Sequence, residues 1–126
     1  KNDEINLVQP GGNYGWPEQE CSGNEEFIDP INCYDPAIEP GGIVFYYGDK
    51  IKLENSLVLA SLRASHLFNL EIDEDGVKSQ KSILSGLGRI RDVAVGPDGY
   101  LYLITSNTDG KGFPDASDDK LLRIVK

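Results

Sequence analysis

Two stretches of this chain answer each other at a fixed distance. Ser56-Leu57-Val58-Leu59-Ala60-Ser61 followed by Leu67-Phe68-Asn69-Leu70 is matched by Tyr100-Leu101-Tyr102-Leu103-Ile104-Thr105 followed by Leu121-Leu122-Arg123-Ile124, and Leu57 lies 44 residues before Leu101. Each stretch is a short apolar run bounded by Gly, Pro, Asn or Asp, which is the pattern of a strand between turns. Sustained i, i+3, i+4 apolar spacing, the mark of an amphipathic helix, is absent. A strand-only repeat of about 40–45 residues is the period of a propeller blade. The expected fold is all-β: a partial β-propeller with a loop-rich segment at residues 1–42, one blade at 43–84 and a second at 85–126, each blade a four-stranded antiparallel unit. The competing arrangement is a β-sandwich of about seven strands.

The turn residues place the strands. Pro10-Gly11-Gly12, Trp16-Pro17, Asp35-Pro36 and Pro40-Gly41-Gly42 argue against helix and central strand in the first third, leaving one short strand from Glu4 to Val8. The remaining strands are expected at 43–47, 56–62, 67–72, 78–84, 90–95, 100–105 and 121–125. Asp73-Glu74-Asp75-Gly76 and Gly96-Pro97-Asp98-Gly99 are the turns between them. Two blades cannot cover both of their faces without neighbours, so apolar strand residues such as Val58, Leu103 and Ile104 are expected to be partly bare. Self-association of the chain, made alone, is the expected consequence.

Charge narrows the partners. The formal net charge is −9 and 26% of residues are charged. An acidic chain lacks the basic face that nucleic acid requires and is repelled by an anionic membrane surface, while its simplest use is solubility. No apolar run approaches the ~20 residues of a membrane span, and the opening Lys1-Asn2-Asp3-Glu4 reads as mid-protein sequence rather than a leader. Cys21 and Cys33 flank an acidic loop. They stand as two free thiols or as a disulfide closing that loop; the disulfide is the expectation, and it implies an oxidising, extracellular or periplasmic location. Without CxxC or a Cys/His cluster, zinc is not expected.

The densest chemistry is Gly86-Leu87-Gly88-Arg89-Ile90-Arg91-Asp92-Val93. Residues i and i+2 of a strand share a face, so Arg89 and Arg91 form a cationic spot in an acidic protein. Guanidinium groups grip carboxylates in a planar, bidentate way. Either this is a site for a carboxylated ligand on the innermost strand of a blade, or the arginines pair with the chain's own acids, Asp92 among them. Arg63, closing Ser61-Leu62-Arg63, is a second candidate at the same channel mouth, or a solvated strand end. The single histidine, His66, reads as a hairpin residue, and no Ser/His/Asp arrangement forms around it. Asp73-Glu74-Asp75-Gly76 and Asn107-Thr108-Asp109-Gly110 are too short for an EF-hand loop and read as hairpin turns. Tyr34, Tyr46 and Tyr47 serve as core residues or as a stacking surface for a flat ligand.

Three segments in this order resemble the soluble quinoprotein aldose (glucose/sorbosone-type) dehydrogenases: Asp3-Glu4-Ile5-Asn6 with Asn13-Tyr14-Gly15-Trp16-Pro17; Asn55-Ser56-Leu57 through Leu62-Arg63; and Arg89-Ile90-Arg91-Asp92-Val93 with Gly96-Pro97-Asp98-Gly99 and Leu101-Tyr102. The resemblance covers nearly the whole chain. It implies a six-bladed parent propeller that holds pyrroloquinoline quinone (PQQ) over calcium and oxidises the anomeric hydroxyl of aldose sugars to lactones. Hydride then goes to the quinone C5, a histidine is the base, and electrons pass to an external acceptor. PQQ carries three carboxylates, which guanidinium partners suit. By resemblance, Arg89 and Arg91 match the cofactor-binding arginine pair, Arg63 a position that is commonly lysine, and Tyr34 an aromatic near the quinone plane. Glu4 and the Tyr14 carbonyl match ligands of an accessory calcium. The family's histidine base, its Arg-Asn segment and its Gly-Pro calcium carbonyls lie upstream of the segment matched by Asp3 to Asn6. The resemblance therefore places this chain in the C-terminal third of the parent, with no catalytic residue of its own and no turnover in isolation. The alternative is a non-catalytic propeller module that binds a protein or glycan.

Overall fold

The computed structural model describes residues 2–53 and 56–125; Asn55, part of the motif above, lies outside the described residues. Nine strands run through them: β1 Asp3–Ile5, β2 Asn32–Tyr34, β3 Pro40–Tyr46, β4 Ser56–Ser61, β5 His66–Asp73, β6 Gly76–Ser85, β7 Ile90–Val95, β8 Leu101–Thr105 and β9 Leu121–Ile124. The described residues contain no helix, so none is long and apolar enough to cross a membrane. The strands form an antiparallel β1-β2 pair, a four-stranded β3-β4-β5-β6 meander and a three-stranded β7-β8-β9 meander. Open meanders of consecutive strands are blades, and the all-β partial propeller read from the 44-residue repeat is the architecture observed.

The repeat is literal. Pro40 pairs with Ser61 in the first meander and Ile90 with Thr105 in the second. Leu62 N–H donates to the Glu39 carbonyl, and Ser106 N–H to the Arg89 carbonyl. Glu39 and Arg89 are therefore equivalent positions, each just before the first strand of its blade. They lie 50 residues apart, against 44 for the second strands, because the connection from β3 to β4 is longer than that from β7 to β8.

Strand alternation builds two cores on one strand. All six residues of β4 are buried. Val58 and Ala60 face Ile90, Val93, Leu101 and Leu103 of the second meander, together with Tyr46 and Leu67. Leu57 and Leu59 point the other way, onto Ile5, Tyr34 and Leu70. The period of two in a strand forces this division, and an unbroken apolar run with both faces covered is its signature. Tyr46 ties the meanders together: its hydroxyl donates to the Gly99 carbonyl at 3.0 Å and accepts from Lys50 and Ile51 N–H.

Several expectations need correction. Val58 and Leu103 are buried, at 0% and 1% exposure, because the two meanders pack on each other; of the three residues expected to be bare, only Ile104 is, at 40%. The N-terminal strand ends at Ile5 rather than Val8. The Tyr14 hydroxyl donates to the Leu7 carbonyl and accepts from Gln9 N–H, bending the chain out of the strand and leaving Leu7 and Val8 exposed. The first third is less loop-like than its prolines imply, since it holds β2 and the start of β3. Pro40 enters β3 through a register shift before Ile43, an irregularity that tolerates a missing N–H donor. Gly41 and Gly42 then lie against the backbone of Arg91 and the side chain of Asp92, where a Cβ would collide. These glycines let β3 pack directly on β7. The second meander has three strands among the described residues rather than four. Arg63 follows β4, which ends at Ser61.

Candidate functional site

The inner ends of the two blades meet at Arg89. Gly88 precedes it at φ +75°, left-handed backbone that favours glycine, and a Cβ there would strike the Asn107 amide. Asn107, 4% exposed, accepts from Arg89 N–H at 2.8 Å and donates to the Leu87 carbonyl at 2.9 Å. The start of β7 is thus stapled to the loop after β8. A register shift between Ile90 and Asp92 makes Arg91 the extra residue of a bulge, and bulges re-aim side chains.

Both guanidinium groups converge on one oxygen. Arg89 Nε donates to Asp109 Oδ2 at 3.0 Å and an Arg91 NH2 nitrogen donates to the same oxygen at 3.2 Å. Arg91 also donates to Ser106 Oγ at 3.0 Å. From the other blade, Glu39 Oε2 accepts from an Arg89 NH2 nitrogen at 3.0 Å. The side chains differ in access: Arg89 is 10% exposed and Arg91 46%. Burial works against the Arg89 charge, but the hydrogen bonds to Glu39 and Asp109 outweigh it and hold the guanidinium above its ordinary value. Asp109 has an exposed backbone and a mostly covered side chain. Its carboxyl is held below the usual carboxylate range, first by the Lys111 N–H and then, against desolvation, by Arg89 and Arg91.

The pairing of arginines with the chain's own acids, one of the two readings open from sequence, is present, but the partners are Asp109 and Glu39. Asp92 instead accepts from Val93 N–H. Neither partner stood out by spacing. The turn pattern Asn107-Thr108-Asp109-Gly110 marked Asp109 as a turn residue, which it is, since its Oδ1 caps Lys111 N–H. Glu39 carried a signal only in its equivalence to Arg89. Arg63 lies at the same end of the first blade: its N–H donates to the Ile38 carbonyl, its side chain is exposed, and no carboxylate of the described residues lies within ion-pair distance of it.

The other candidates sit elsewhere. Tyr34 is buried in the second core, where its hydroxyl donates to Gln80 at 2.6 Å and burial pushes its phenol up; no hydrogen bond joins it to the arginines. Glu4 is a clasp. Its Oε1 accepts from Cys21 N–H at 2.5 Å and its Oε2 from the Asn6 amide. Among the described residues no three His, Cys, Asp or Glu side chains are gathered to hold a metal. Both Glu4 carboxylate oxygens are thus taken up by protein donors. Cys21 and Cys33 form the expected disulfide, Cα atoms 5.6 Å apart. His66 hydrogen-bonds Ser82 and stacks on Phe68, a hairpin role.

The blades describe a partial propeller whose first-strand ends gather two arginines with two of the chain's own carboxylates. Residues 1–123 match the model of the glucose/sorbosone dehydrogenase family, and the chain belongs to that family. It is 31% identical to the aldose sugar dehydrogenase YliI of Escherichia coli over 128 residues, covering 86% of this chain and 34% of that protein. Among solved structures, one from Thermus thermophilus superposes with TM-score 0.85 at 41% identity, covering 97% of this chain and 37% of that one. The PQQ-bound aldose sugar dehydrogenase of Streptomyces coelicolor superposes with TM-score 0.81 at 35% identity, covering 97% and 36%. The chain spans about a third of the length of these relatives.

Proposed function

We propose that this chain supplies one wall of the cofactor site of a PQQ-dependent aldose dehydrogenase. The observation that carries this is the Arg89–Arg91 pair, held at the inner strand ends. The donor set fits the group. After its bonds to Asp109 and Glu39, Arg89 keeps N–H donors on its remaining terminal nitrogen. Arg91 keeps its Nε and one terminal nitrogen and is half exposed, and Arg63 is exposed just after β4, at the end of that strand where Ser61 pairs with Pro40. Three carboxylates suit three guanidinium groups. PQQ, when bound, supplies the acceptor for the hydride that leaves the anomeric carbon of the sugar. This chain's residues bind and orient it and hold no base for the sugar hydroxyl. Calcium and an external electron acceptor complete the activity in the whole protein. The disulfide supports an extracellular or periplasmic location.

The test is a PQQ titration of the full-length protein with Arg89→Ala and Arg91→Ala. A charge-assisted hydrogen bond is worth roughly 1.5–3 kcal/mol, so each change is expected to weaken binding on the order of tenfold or more. Unaltered titrations in both variants sink the reading. The 126-residue chain made alone is expected to show no sugar oxidation with PQQ and calcium added. It is also expected to self-associate through the outer face of β7–β9, where the paired Ile104 and Leu121 are 40% and 70% exposed. Turnover of an aldose, or a concentration-independent monomer in light scattering, refutes this part.

A further inference from the structure

We propose that Asp109 and Glu39 are positioning residues for the arginine pair. Asp109 sets the separation and orientation of both guanidinium groups from a single oxygen, and Glu39 locks Arg89 across the boundary between the blades. This rests on the reading that the pair receives the carboxylates of PQQ.

Two arginines on one strand end repel each other, and each has four rotatable side-chain bonds. Left alone they spread, and a ligand must pay the entropy of gathering them. Here they are gathered in advance. The Asp109 carboxylate is shared, with Oδ2 on both guanidinium groups and Oδ1 on Lys111 N–H. Its loop is itself fixed. Asn107 links that loop to the backbone on both sides of Gly88, and Asp119 Oδ1 accepts from Asn107 N–H at 2.5 Å. Glu39 is equally constrained. It sits at φ +53°, an unusual place for a residue with a side chain, with its N–H on Asp3 Oδ2 at 2.7 Å and its carbonyl on Leu62 N–H. A backbone held there on both sides aims the carboxylate at Arg89, which has little freedom left.

Two carboxylates against two guanidinium groups leave this cluster without net charge. The cluster then recognises an anion through the direction of its unused N–H donors rather than through excess positive charge. That gives the two roles opposite signs. If Asp109 merely lowered the local potential, neutralising it would tighten the grip on a tricarboxylate. If it positions the pair, neutralising it loosens the grip although the site gains positive charge.

The experiment is PQQ binding to the full-length protein, followed by titration, for wild type, Asp109→Asn and Glu39→Gln, with the thermal transition of each recorded. Asp109→Asn is expected to bind PQQ about tenfold more weakly, one charge-assisted contact's worth, and Glu39→Gln several-fold more weakly. Binding of citrate, a flexible tricarboxylate that needs no preset geometry, is expected to hold or improve in both. If Asp109→Asn does not fold, Glu39→Gln decides, since its backbone contacts are untouched. Folded variants that bind PQQ as tightly as wild type, or more tightly, overturn the inference and leave the functional reading standing. A wild-type protein that does not bind PQQ overturns both.

Discussion

Arg89 is reached by two irregular regions that are held in place by different physics. The first runs from Asn6 to Glu39. It is closed by the Cys21–Cys33 disulfide, clasped by Glu4 on Cys21 N–H, and anchored by Ile31, Tyr34 and Ile38 in the core beside β4. The second runs from Asn107 to Lys120 and has almost no apolar anchor; its one phenylalanine, Phe113, is 99% exposed. Carboxylates organise it instead. Asp109 caps Lys111, Asp115 caps Ser117 and meets Lys120, Asp118 caps Asp115 N–H and meets Lys120, and Asp119 gathers Thr105, Asn107 and Thr108. A loop can therefore be fixed mainly by cross-linking and burial or mainly by carboxylate–backbone hydrogen bonds; apart from the Glu4 and Asp3 contacts, the first way is blind to protons while the second is not.

The largest expected effect breaks the first region. A loop closed by cysteines 12 residues apart is worth about 3 kcal/mol in the chain-entropy account. Cys21→Ser with Cys33→Ser is expected to lower stability by roughly that much in a denaturant titration. Amide protection is expected to fall at residues 9–31 and to hold at 107–120. An unchanged midpoint, or equal loss in both regions, contradicts the contrast.

The smaller effect sharpens it from the other side. Asp109, Asp115, Asp118 and Asp119 all have folded values below the ordinary carboxylate value. The leading cause is a backbone N–H for Asp109 and Asp118, Lys120 for Asp115, and the Thr108 hydroxyl for Asp119. A depressed carboxylate contributes stability that is fully present above its unfolded value, about 4, and is lost as pH falls through its folded value. Order at 107–120 is therefore expected to be constant from neutral pH down to about pH 5 and to decline below about pH 4, by less than the disulfide effect because Asp115 and Asp119 are exposed and solvent-screened. Hydrogen exchange corrected for its intrinsic pH dependence reads this directly. Parallel loss at 9–31 would show that the two regions share one source of order.

Much of the fold was legible because its causes are local. The short apolar runs of β4, β5, β7 and β8, the Asp73–Gly76 hairpin and the 44-residue repeat all follow from neighbours in sequence. The disulfide also emerged as expected, from a bare pair of cysteines. β2 was not legible: Asn32-Cys33-Tyr34 is too short to show a period, and it forms only because β1 offers it an edge. The bare face expected of Val58 and Leu103 was misplaced for a related reason, since alternation says which residues share a face but not what that face meets.

The amino-acid sequence by itself determined that the chain is strand-built, that it repeats as blades, that its family is the glucose/sorbosone dehydrogenases, and that Arg89 and Arg91 are its concentrated cations. Tertiary structure alone decided how those cations are held. Glu39 is 50 residues from Arg89 and Asp109 20 residues away, and neither separation follows from any local pattern. The contacts exist because Gly41 and Gly42 let β3 lie against β7, and because Asn107 staples its loop to the start of that strand. Hydrogen bonds require atoms within about 3 Å, a condition met across blades only when the packing of whole sheets has already been settled.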